Sequence, residues 1–403
     1  MCIVHNKYMN SLKYVFTPIF ALIKQIINKR YFCSCNGINL KYKGGKRMSK
    51  IRVAIIFGGV SNEYETSLSA AAAVIENINN EEYETVCIGI TRKGRWLYYP
   101  GASEDILNDT WSENPDCTPV VISPDPNRNG IIKLENGEAS FFKVDVIFPL
   151  LYGKNGEDGT IAGILRVTGI PYVGSDLIAS AACMDKTYTR MVLGYNNVKT
   201  SKWKMMFRNE LNMLDEKCNE FCAELAYPII VKPANFGSSK SVNKASDFET
   251  LKNAIKIALA QDDKVVVEEF VEGKELQVAV LGYEHLIISA PGEVIIKRDD
   301  FDLNSMFAEP GCIVPALLEN GVSETLRQLS GTVYKLMGCV GMARMDFYYT
   351  NDGEIVISQI NTVPEFTENS MYVKKKKKQG FTFEELIGEL ITQAIDNYEG
   401  KSV

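Results

Sequence analysis

The sequence predicts an α/β protein of several lobes, the first of which contains an open parallel sheet. Residues 51–57 form a continuous apolar run, a double glycine interrupts it, and residues 67–78 are alanine-rich with helical periodicity. This strand, turn and helix, followed by further apolar runs at 86–91 and 144–149, is typical of open α/β sheets with functional loops at the strand ends. The length of 403 residues exceeds one ordinary core and predicts two or three domains.

Two further units follow the first sheet. One begins near Ser175, with a predicted helix at 185–193 and a strand at 228–233, and the other begins near Lys264. The last unit has predicted strands at 265–269, 277–282, 343–349 and 354–360 and a helix at 324–337. We therefore expect an N-terminal α/β lobe at 48–174, a central lobe at 175–268 and a C-terminal lobe at 269–403.

The first 47 residues differ from the rest in charge. Residues 1–50 contain ten basic residues and no acidic one, and the apolar stretch at 14–27 is broken by Pro18 and Lys24. Because about 20 apolar residues are needed to cross a bilayer, we expect no stable membrane span. Met48 immediately precedes the first clear strand. We interpret residues 1–47 as a basic extension outside the fold, either an overextended start or a dispensable tail.

Composition excludes several classes of function. After residue 50 the chain carries 34 basic against 50 acidic residues, which argues against nucleic acid as a partner because phosphate backbones are bound by clustered Lys and Arg. Only two histidines are present, and no C-x2-C pair occurs, so a histidine-rich metal site, a Ser-His-Asp triad and a zinc ribbon are excluded. The scattered cysteines predict free thiols in a reducing cytoplasm.

A run of five lysines, Lys374–Lys378, stands near the C-terminus. Such a charge run is most often a solvated face or a mobile loop, and we interpret it so; an anion-binding patch is the alternative.

A lysine at the end of an apolar strand begins the first candidate site. Lys232 is followed by the small-residue turn Gly237, Ser238 and Ser239, whose backbone N–H groups suit phosphate oxygens, while the lysine supplies a point charge. The alternative is a strand followed by an ordinary polar loop. Acidic residues at the end of the strand at 265–269 and just beyond it are suited to adenine and ribose contacts, and they favour the phosphate interpretation; they are Glu268, Glu269 and Glu275.

Two strands near the C-terminus carry the second candidate site. Strand alternation places Arg344 and Asp346 on one face, and Gln359 and Asn361 on one face of the next strand. Oxygen ligands of this kind suit Mg²⁺, which takes a few carboxylate or carbonyl oxygens together with phosphate oxygens. The alternative is an ordinary salt-bridged pair of strands.

Taken in order, the motifs resemble one known family. The segments at 57–68, 153–160, 169–175 and 184–186 are similar to those of the D-alanine–D-alanine ligase family, which has the ATP-grasp fold. The segments at 76–78 and 89–96 are similar to the VanG-type branch, the D-alanine–D-serine ligases. The resemblance covers about residues 50 to 400 in unbroken order and implies an ATP-grasp fold of three lobes.

The resemblance implies a role for each matching residue. The residues that match ATP-binding positions are Lys186, Lys232, Ser239, Glu268, Glu269 and Glu275. Glu63 matches the carboxylate that holds the ammonium of the first D-alanine, Ser238 matches the loop serine that helps close the site, and Arg344 matches the arginine that stabilises the tetrahedral intermediate. Asp346, Gln359 and Asn361 match metal-ligand positions, and Ser370 matches a serine near the second substrate's carboxylate.

The implied reaction needs no protein nucleophile. The carboxylate of D-alanine attacks the γ-phosphate of ATP, and the amine of a second D-amino acid, D-alanine or D-serine, then displaces phosphate from the acyl phosphate. The product is the dipeptide precursor of peptidoglycan. The cofactors implied are ATP and Mg²⁺ (or Mn²⁺), the partners are small-molecule substrates, the compartment is the cytoplasm, and members of the family often form homodimers.

Five departures from the family pattern cluster at the implied site. Gln359 replaces a metal-bridging glutamate, Tyr152 replaces a histidine, Ser241 replaces the last glycine of the phosphate loop, and Glu365 replaces a glycine. The lid segment at 301–307 lacks its usual lysine and tyrosines. Because one lost interaction of this kind costs about 10- to 1,000-fold in rate, a nucleotide-binding pseudo-ligase is an alternative. Another ATP-grasp enzyme joining a different carboxylate and amine is a third, and the second substrate stays open among D-alanine, D-serine and D-lactate.

Overall fold

Three β-sheets with packed helices make up the part of the chain that the computed structural model describes, residues 49–236, 241–295 and 311–401. The expected extension at 1–47 lies outside these ranges. None of the helices within them is both long and apolar enough to cross a membrane. The three-lobe division with boundaries at 174/175 and 268/269 stays a prediction.

The first sheet is mixed rather than wholly parallel. Its strands are β1 (Ile51–Gly58), β2 (Tyr83–Ile90), β3 (Trp96–Tyr99), β4 (Thr118–Ile122), β5 (Gly130–Glu135), β6 (Glu138–Lys143) and β7 (Val146–Pro149), in the order β6-β5-β4-β3-β2-β1-β7. Only β2, β1 and β7 run parallel, and the remaining strands extend the sheet in antiparallel fashion. The α/β prediction is confirmed, with parallel pairing limited to the centre, where β1 is buried on both faces.

Three helices accompany this sheet: α1 (Tyr64–Asn77), α2 (Ser103–Leu107) and α3 (Thr160–Thr168). Helix α1 begins three residues before the predicted start. The turn leading to it requires glycine, because Gly58 has φ +88° and a Cβ there would lie 2.2 Å from the carbonyl oxygen of Ile90. This tight turn brings the chain from the end of β1 to Glu63, directly before the helix.

The second sheet is antiparallel throughout. It contains β8 (Trp203–Phe207), β9 (Ile229–Pro233), β10 (Asn243–Ala245) and β11 (Lys264–Glu269), in the order β10-β9-β11-β8. The helices of this part of the chain are α4 (Leu177–Met184), α5 (Lys186–Tyr195), α6 (Leu214–Glu224) and α7 (Phe248–Gln261). Apolar residues of α6 and α7 form one core with the sheet, which fixes the strand ends that carry Lys232 and Glu268.

The third sheet is also antiparallel. Its strands are β12 (Gly273–Gly282), β13 (Ile287–Ile288), β14 (Gly292–Ile295), β15 (Gly311–Ile313), β16 (Gly341–Thr350) and β17 (Ile355–Asn361). The order is β15-β14-β12-β16-β17, and β13 pairs with β12. The remaining helices are α8 (Val322–Leu336), α9 (Met371–Lys377) and α10 (Phe383–Lys401). The ten-residue pairing of β12 with β16 makes the centre of this sheet a long, rigid surface.

The interpretation of the lysine run as a solvated face is wrong for two of its members. Lys375 and Lys376 lie in helix α9 and are fully buried. The Nζ of Lys376 donates to the carbonyl oxygen of Ile287 (2.6 Å) and to Oε1 of Gln379 (3.1 Å), so neutral oxygens satisfy it. Five identical residues hide which face of a helix points inward, and for this reason the sequence pattern could not distinguish the buried positions.

Candidate active site

Three neighbouring strands of the third sheet place polar side chains on one face. Gln277 of β12 lies directly opposite Asp346 of β16, and Asp346 lies opposite Gln359 of β17. Arg344 is paired in the same way with Asn361. Because directly opposite residues of antiparallel strands project to the same side, these side chains share a surface. The sequence predicted this convergence for β16 and β17, and the register extends it to β12.

A bidentate ion pair dominates this surface. Arg344 Nε lies 2.8 Å from Asp346 Oδ1, and its Nη2 lies 2.9 Å from Oδ2. Burial opposes the charge on the guanidinium, but Asp346 more than offsets this and raises the pKa of Arg344 above its usual value. The pair holds both side chains in one geometry, which is the property expected of a group that must meet developing charge in a fixed position.

The oxygen donors on this surface fit a magnesium ion that takes its remaining ligands from substrate. They comprise the Asp346 carboxylate and the amides of Gln359 and Asn361, and Asn361 Oδ1 also accepts the N–H of Val363 at 2.8 Å. Within the described ranges no group of three or more His, Cys, Asp or Glu side chains could hold a metal. Mg²⁺ commonly uses one or two protein carboxylates together with phosphate oxygens and water.

The second sheet contributes a cluster of buried charges around Glu268. Glu268 Oε1 lies 2.7 Å from Lys232 Nζ, and Oε2 accepts from the guanidinium of Arg190 and from Ser201 Oγ at 2.6 Å. Although burial opposes ionisation, Lys232 and Arg190 lower the pKa of Glu268 to about 2. Both oxygens of Glu268 are therefore engaged within the protein, and the cluster is one anion between two cations.

The other two predicted acidic contacts lie apart from Glu268. Glu269 follows it on the opposite face of β11, where its Oε1 accepts the N–H of Ala226 at 3.0 Å and lies 3.4 Å from Lys202 Nζ. Glu275 is on β12, and burial together with Asp346 raises its pKa. The structure thus brings Glu275 to the sheet face with Asp346 and leaves Glu269 on the face of β11 opposite to Glu268.

Lys186 lies between the charge cluster and the sheet face. It is the first residue of α5, held by the cap residue Asp185, whose Oδ1 accepts the N–H of Thr187 at 2.9 Å. Lys186 Nζ donates to the carbonyl oxygen of Phe236 at 2.6 Å, directly before the predicted phosphate loop. Burial, followed by the charges of Lys232 and Arg190, lowers the pKa of Lys186 to about 8.

One cleft joins these parts. Lys186 and Glu157 line it together with Gln359 and Asn361 from β17. A cation of the second unit and the proposed metal ligands of the third unit therefore line the same cleft.

The first sheet supplies two carboxylates at the edge of the site. Burial raises the pKa of Glu63, while Lys186 acts in the opposite direction. Glu157 accepts the N–H of Gly153 at 3.1 Å, and burial together with the charge of Glu63 raises the pKa of Glu157 to about 7. A Cβ on Gly153 would lie 3.2 Å from Glu63 Oε1, so the two loops are in contact.

The loop after β17 and the start of α9 complete the described part of the site. Ser370 is buried and caps α9, with its Oγ accepting the N–H of Val373 at 3.4 Å. Tyr152 is buried, and its hydroxyl oxygen accepts the N–H of Phe366 at 3.2 Å. The side chain of Glu365 is exposed and accepts the hydroxyl of Thr367 at 3.0 Å. Its charge points outward rather than into the protein.

Some of the expected residues cannot be placed. Ser238, Ser239 and the lid segment at 301–307 lie outside the described residues. Ser241 is described, and its replacement of glycine causes no backbone strain, since positive φ values of non-glycine residues within the described ranges occur at Asp109, Asn136, Asn155 and Asn197.

Three residues of the site were not assigned from the sequence. Arg190 and Ser201 both hold Glu268, and Glu157 organises the loop beside Glu63. Arg190 lies one helical turn after Lys186, so helical periodicity could have identified it as a neighbour of Lys186. Ser201 lies in an irregular segment and carries no comparable signal, whereas Glu157 is part of the glycine-rich motif at 153–160.

Comparisons with known proteins agree with this arrangement. Two family models match, "D-ala D-ala ligase N-terminus" at residues 52–175 and "D-ala D-ala ligase C-terminus" at residues 193–392. A D-alanine–D-alanine ligase of Caldicellulosiruptor bescii is 38% identical over 88% of this chain and 98% of the relative. One of Ruminiclostridium cellulolyticum is 39% identical over 87% of this chain and 97% of the relative.

A solved structure of a related ligase also resembles this protein. The VanG D-Ala:D-Ser ligase of Enterococcus faecalis is 37% identical, with a TM-score of 0.79 over 86% of this chain and all of that one. The fold and the charge clusters define an ATP-grasp protein, as expected. Within that class, the chain belongs to the D-alanine–D-alanine ligase family.

Proposed function

We propose that this protein is an ATP-dependent ligase that joins D-alanine to a second D-amino acid through an acyl phosphate. The observation that carries the proposal is the cleft that Lys186 lines together with Gln359 and Asn361. A phosphate group in this cleft would meet a cation on one side and metal-ligand oxygens on the other. This is the arrangement that phosphoryl transfer requires, since its catalysis rests on positioning and charge neutralisation.

In the proposed first step, a carboxylate oxygen of D-alanine attacks the γ-phosphorus and ADP leaves. Glu63 would hold the ammonium group of this D-alanine, and Lys186 and Lys232 would neutralise the transferred phosphate. Lys186 suits this role because it is desolvated, and a charge in a water-poor site interacts more strongly than one in water. Mg²⁺ bound at Asp346, Gln359 and Asn361 would offset the charge of the phosphate oxygens.

In the second step, the amine of the second D-amino acid attacks the acyl carbon, loses a proton, and phosphate leaves. Arg344 would stabilise the oxyanion, because Asp346 holds its guanidinium in a fixed orientation. Ser370, at the start of α9, would contact the carboxylate of the incoming amino acid. We further propose ADP and a peptidoglycan precursor dipeptide as products, a cytoplasmic site of action and a homodimer as the working form.

Of the three readings left open by the sequence, the comparisons favour a D-amino acid ligase and give no support to a pseudo-ligase. The described departures are also milder than the sequence implied. Ser241 adopts an ordinary backbone conformation, Glu365 turns outward, and Tyr152 makes a buried hydrogen bond. Gln359 remains the substitution with a direct electrostatic cost.

The experiment that tests the proposal measures phosphate release by the full chain with ATP, Mg²⁺ and a panel of D-alanine, D-serine and D-lactate. We expect release that depends on D-alanine, with the dipeptide detected by mass spectrometry. ATP binding without release under any of these conditions would overturn the proposal in favour of the pseudo-ligase. Release only with a different carboxylic acid would support the third reading instead.

A further inference from the structure

Helix α9 buries a positive charge that the proposed reaction does not use. Lys375 is fully buried, and its Nζ donates only to neutral oxygens, Gln277 Oε1 at 3.3 Å and the carbonyl of Met371 at 3.4 Å. Within residues 49–236, 241–295 and 311–401 it forms no ion pair with a carboxylate. An ammonium group withdrawn from water without a counter-ion costs several kcal/mol. Burial of this charge therefore destabilises the folded protein unless an anion binds beside it.

The ammonium group lies at the edge of the active-site sheet. Its acceptor Gln277 is directly opposite Asp346, and the charges that act on Lys375 include those of Asp346 and Arg344. The other acceptor, Met371, directly follows Ser370 in the chain. Lys375 thus reaches back towards the start of α9 and lies on the sheet face that carries Gln277 and Asp346.

The adjacent Lys376 shows what a purely structural buried lysine looks like in this helix. It is equally buried, but a short hydrogen bond of 2.6 Å to the Ile287 carbonyl and a second to Gln379 satisfy its Nζ. Burial alone lowers the pKa of Lys376 to about 7. Lys375 has longer hydrogen bonds and charged neighbours of the active site, and burial lowers its pKa only to about 8, so it is mostly protonated at neutral pH.

We propose that Lys375 is the counter-ion for the carboxylate of the amino acid that enters second. This inference rests on the proposed function and adds a residue that selects acceptors bearing a free carboxylate. The terminal phosphate of ATP is the other anion of the reaction, but the chief charges around Lys186 are Lys232, Arg190, Glu268 and Glu157. The groups that act on Lys375 are different ones, Cys312 of β15 first and then Asp346 and Arg344, and the last two belong to the acyl-transfer side.

The test compares Lys375→Met with Lys376→Met in the full chain. Both replacements keep an unbranched side chain and remove a buried charge, so neither should lower the thermal unfolding temperature. For Lys375→Met we expect the KM of the second D-amino acid to rise about tenfold or more, the size of a lost hydrogen bond between charged groups. Its kcat and its KM for ATP should change by less than about threefold, and Lys376→Met should change none of them.

A second acceptor and a second variant sharpen the result. D-alaninamide, which lacks the carboxylate, should be used equally well by the parent and by Lys375→Met, because the two changes remove the same interaction. Lys375→Gln, which keeps a hydrogen-bond donor but no charge, should show the same rise in KM as Lys375→Met.

Three outcomes would overturn the inference. An unchanged KM for the second D-amino acid, a rise confined to the KM for ATP, or an equal loss with D-alaninamide would each show that Lys375 does not meet that carboxylate. If the parent and Lys376→Met release no phosphate with any D-amino acid, the proposed function itself has failed, and the inference fails with it.

Discussion

The two walls of the site treat buried charge differently. On the wall formed by α5, β9 and β11, the anion Glu268 is held between Lys232 and Arg190, so these three charges are paired with one another inside the protein. On the opposite side, α9 presents Lys375 with neutral partners only, among the residues that the structure describes. A wall whose charges are already paired is organised before any ligand binds, whereas an unpaired buried cation gains its partner on binding. The paired charges therefore maintain the structure of the site, whereas the unpaired cation is available to bind substrate.

The largest expected effect on activity is at Lys186, whose Nζ donates to the carbonyl oxygen of Phe236. Lys186→Met should lower kcat by about 100- to 1,000-fold, because a desolvated charge that meets the transferred phosphate is lost. Stability should be kept, since no carboxylate pairs with Lys186 among the described residues. Lys202→Met, which removes an exposed ammonium near Glu269, is the matched control and should leave kcat unchanged. Equal effects of the two substitutions would contradict the assignment.

Removing the anion of the paired wall should chiefly lower the stability of the folded protein. Glu268→Gln leaves Lys232 and Arg190 buried without their anion, for which we expect a loss of about 3–5 kcal/mol in the free energy of unfolding at pH 7. Urea denaturation measures it. Glu269→Gln, at the neighbouring partly exposed position, should cost less than about 1 kcal/mol.

The same variant has a pH signature. Because the pKa of Glu268 falls from 4.5 to about 2 on folding, the unfolded chain binds more protons between these values, and this residue's stabilisation is lost as the pH falls from 4.5 to 2. Glu268→Gln should therefore flatten the acid limb of the stability curve. A limb as steep as that of the parent would show that Glu268 is not ionised in its cluster.

On the metal-binding face, Gln359→Glu should restore a negative charge. We expect tighter Mn²⁺ binding, measured by electron paramagnetic resonance, and a rate increase of up to about tenfold, equivalent to about 1.4 kcal/mol. Gln328→Glu adds the same charge on the exposed surface of α8 and should change neither quantity. An unchanged rate and an unchanged metal affinity would show that the missing charge does not weaken this site.

Replacing Lys376 should have the smallest effect on catalysis, but it should change the stability of the protein and the pH dependence of that stability. Its pKa falls from 10.5 to about 7 on folding, so the unfolded chain binds the additional proton between these values and the parent gains stability as the pH rises from 7 to 10.5. Lys376→Met should be more stable at pH 7, by about 1 kcal/mol or more, with a smaller gain towards pH 10. Urea denaturation at both pH values checks it, and an unstable variant would mean that the hydrogen bond to Ile287 outweighs the buried charge.

The sequence predicted the paired wall better than the unpaired one. Lys232 and Glu268 lie at predicted strand ends, and period-2 alternation placed Arg344 with Asp346 and Gln359 with Asn361, whereas Lys186 was assigned through the family resemblance. The expectations from strand ends and alternation follow from local geometry, which a single sequence records. The roles assigned to them, and to Glu63, Glu269, Glu275 and Ser370, stay predictions.

The rest depended on contacts between distant segments. Arg190 and Ser201 reach Glu268 across 78 and 67 residues of chain, which no local pattern reveals. The lysine run gave no periodicity from which the inner face of α9 could be read. Strands β4, β5 and β6 of the first sheet were likewise hidden, because short half-exposed strands resemble loops in composition.

A hydrogen bond of Tyr152 connects two segments of the site. Its hydroxyl, at the end of the first sheet, accepts the N–H of Phe366 from the segment between β17 and α9. The loop beside Glu63 and the segment leading to Ser370 are therefore connected by a hydrogen bond that is shielded from water. Movement of one segment is coupled to movement of the other. Tyr152→Phe would leave the Phe366 amide buried without a partner and remove the link between the two segments.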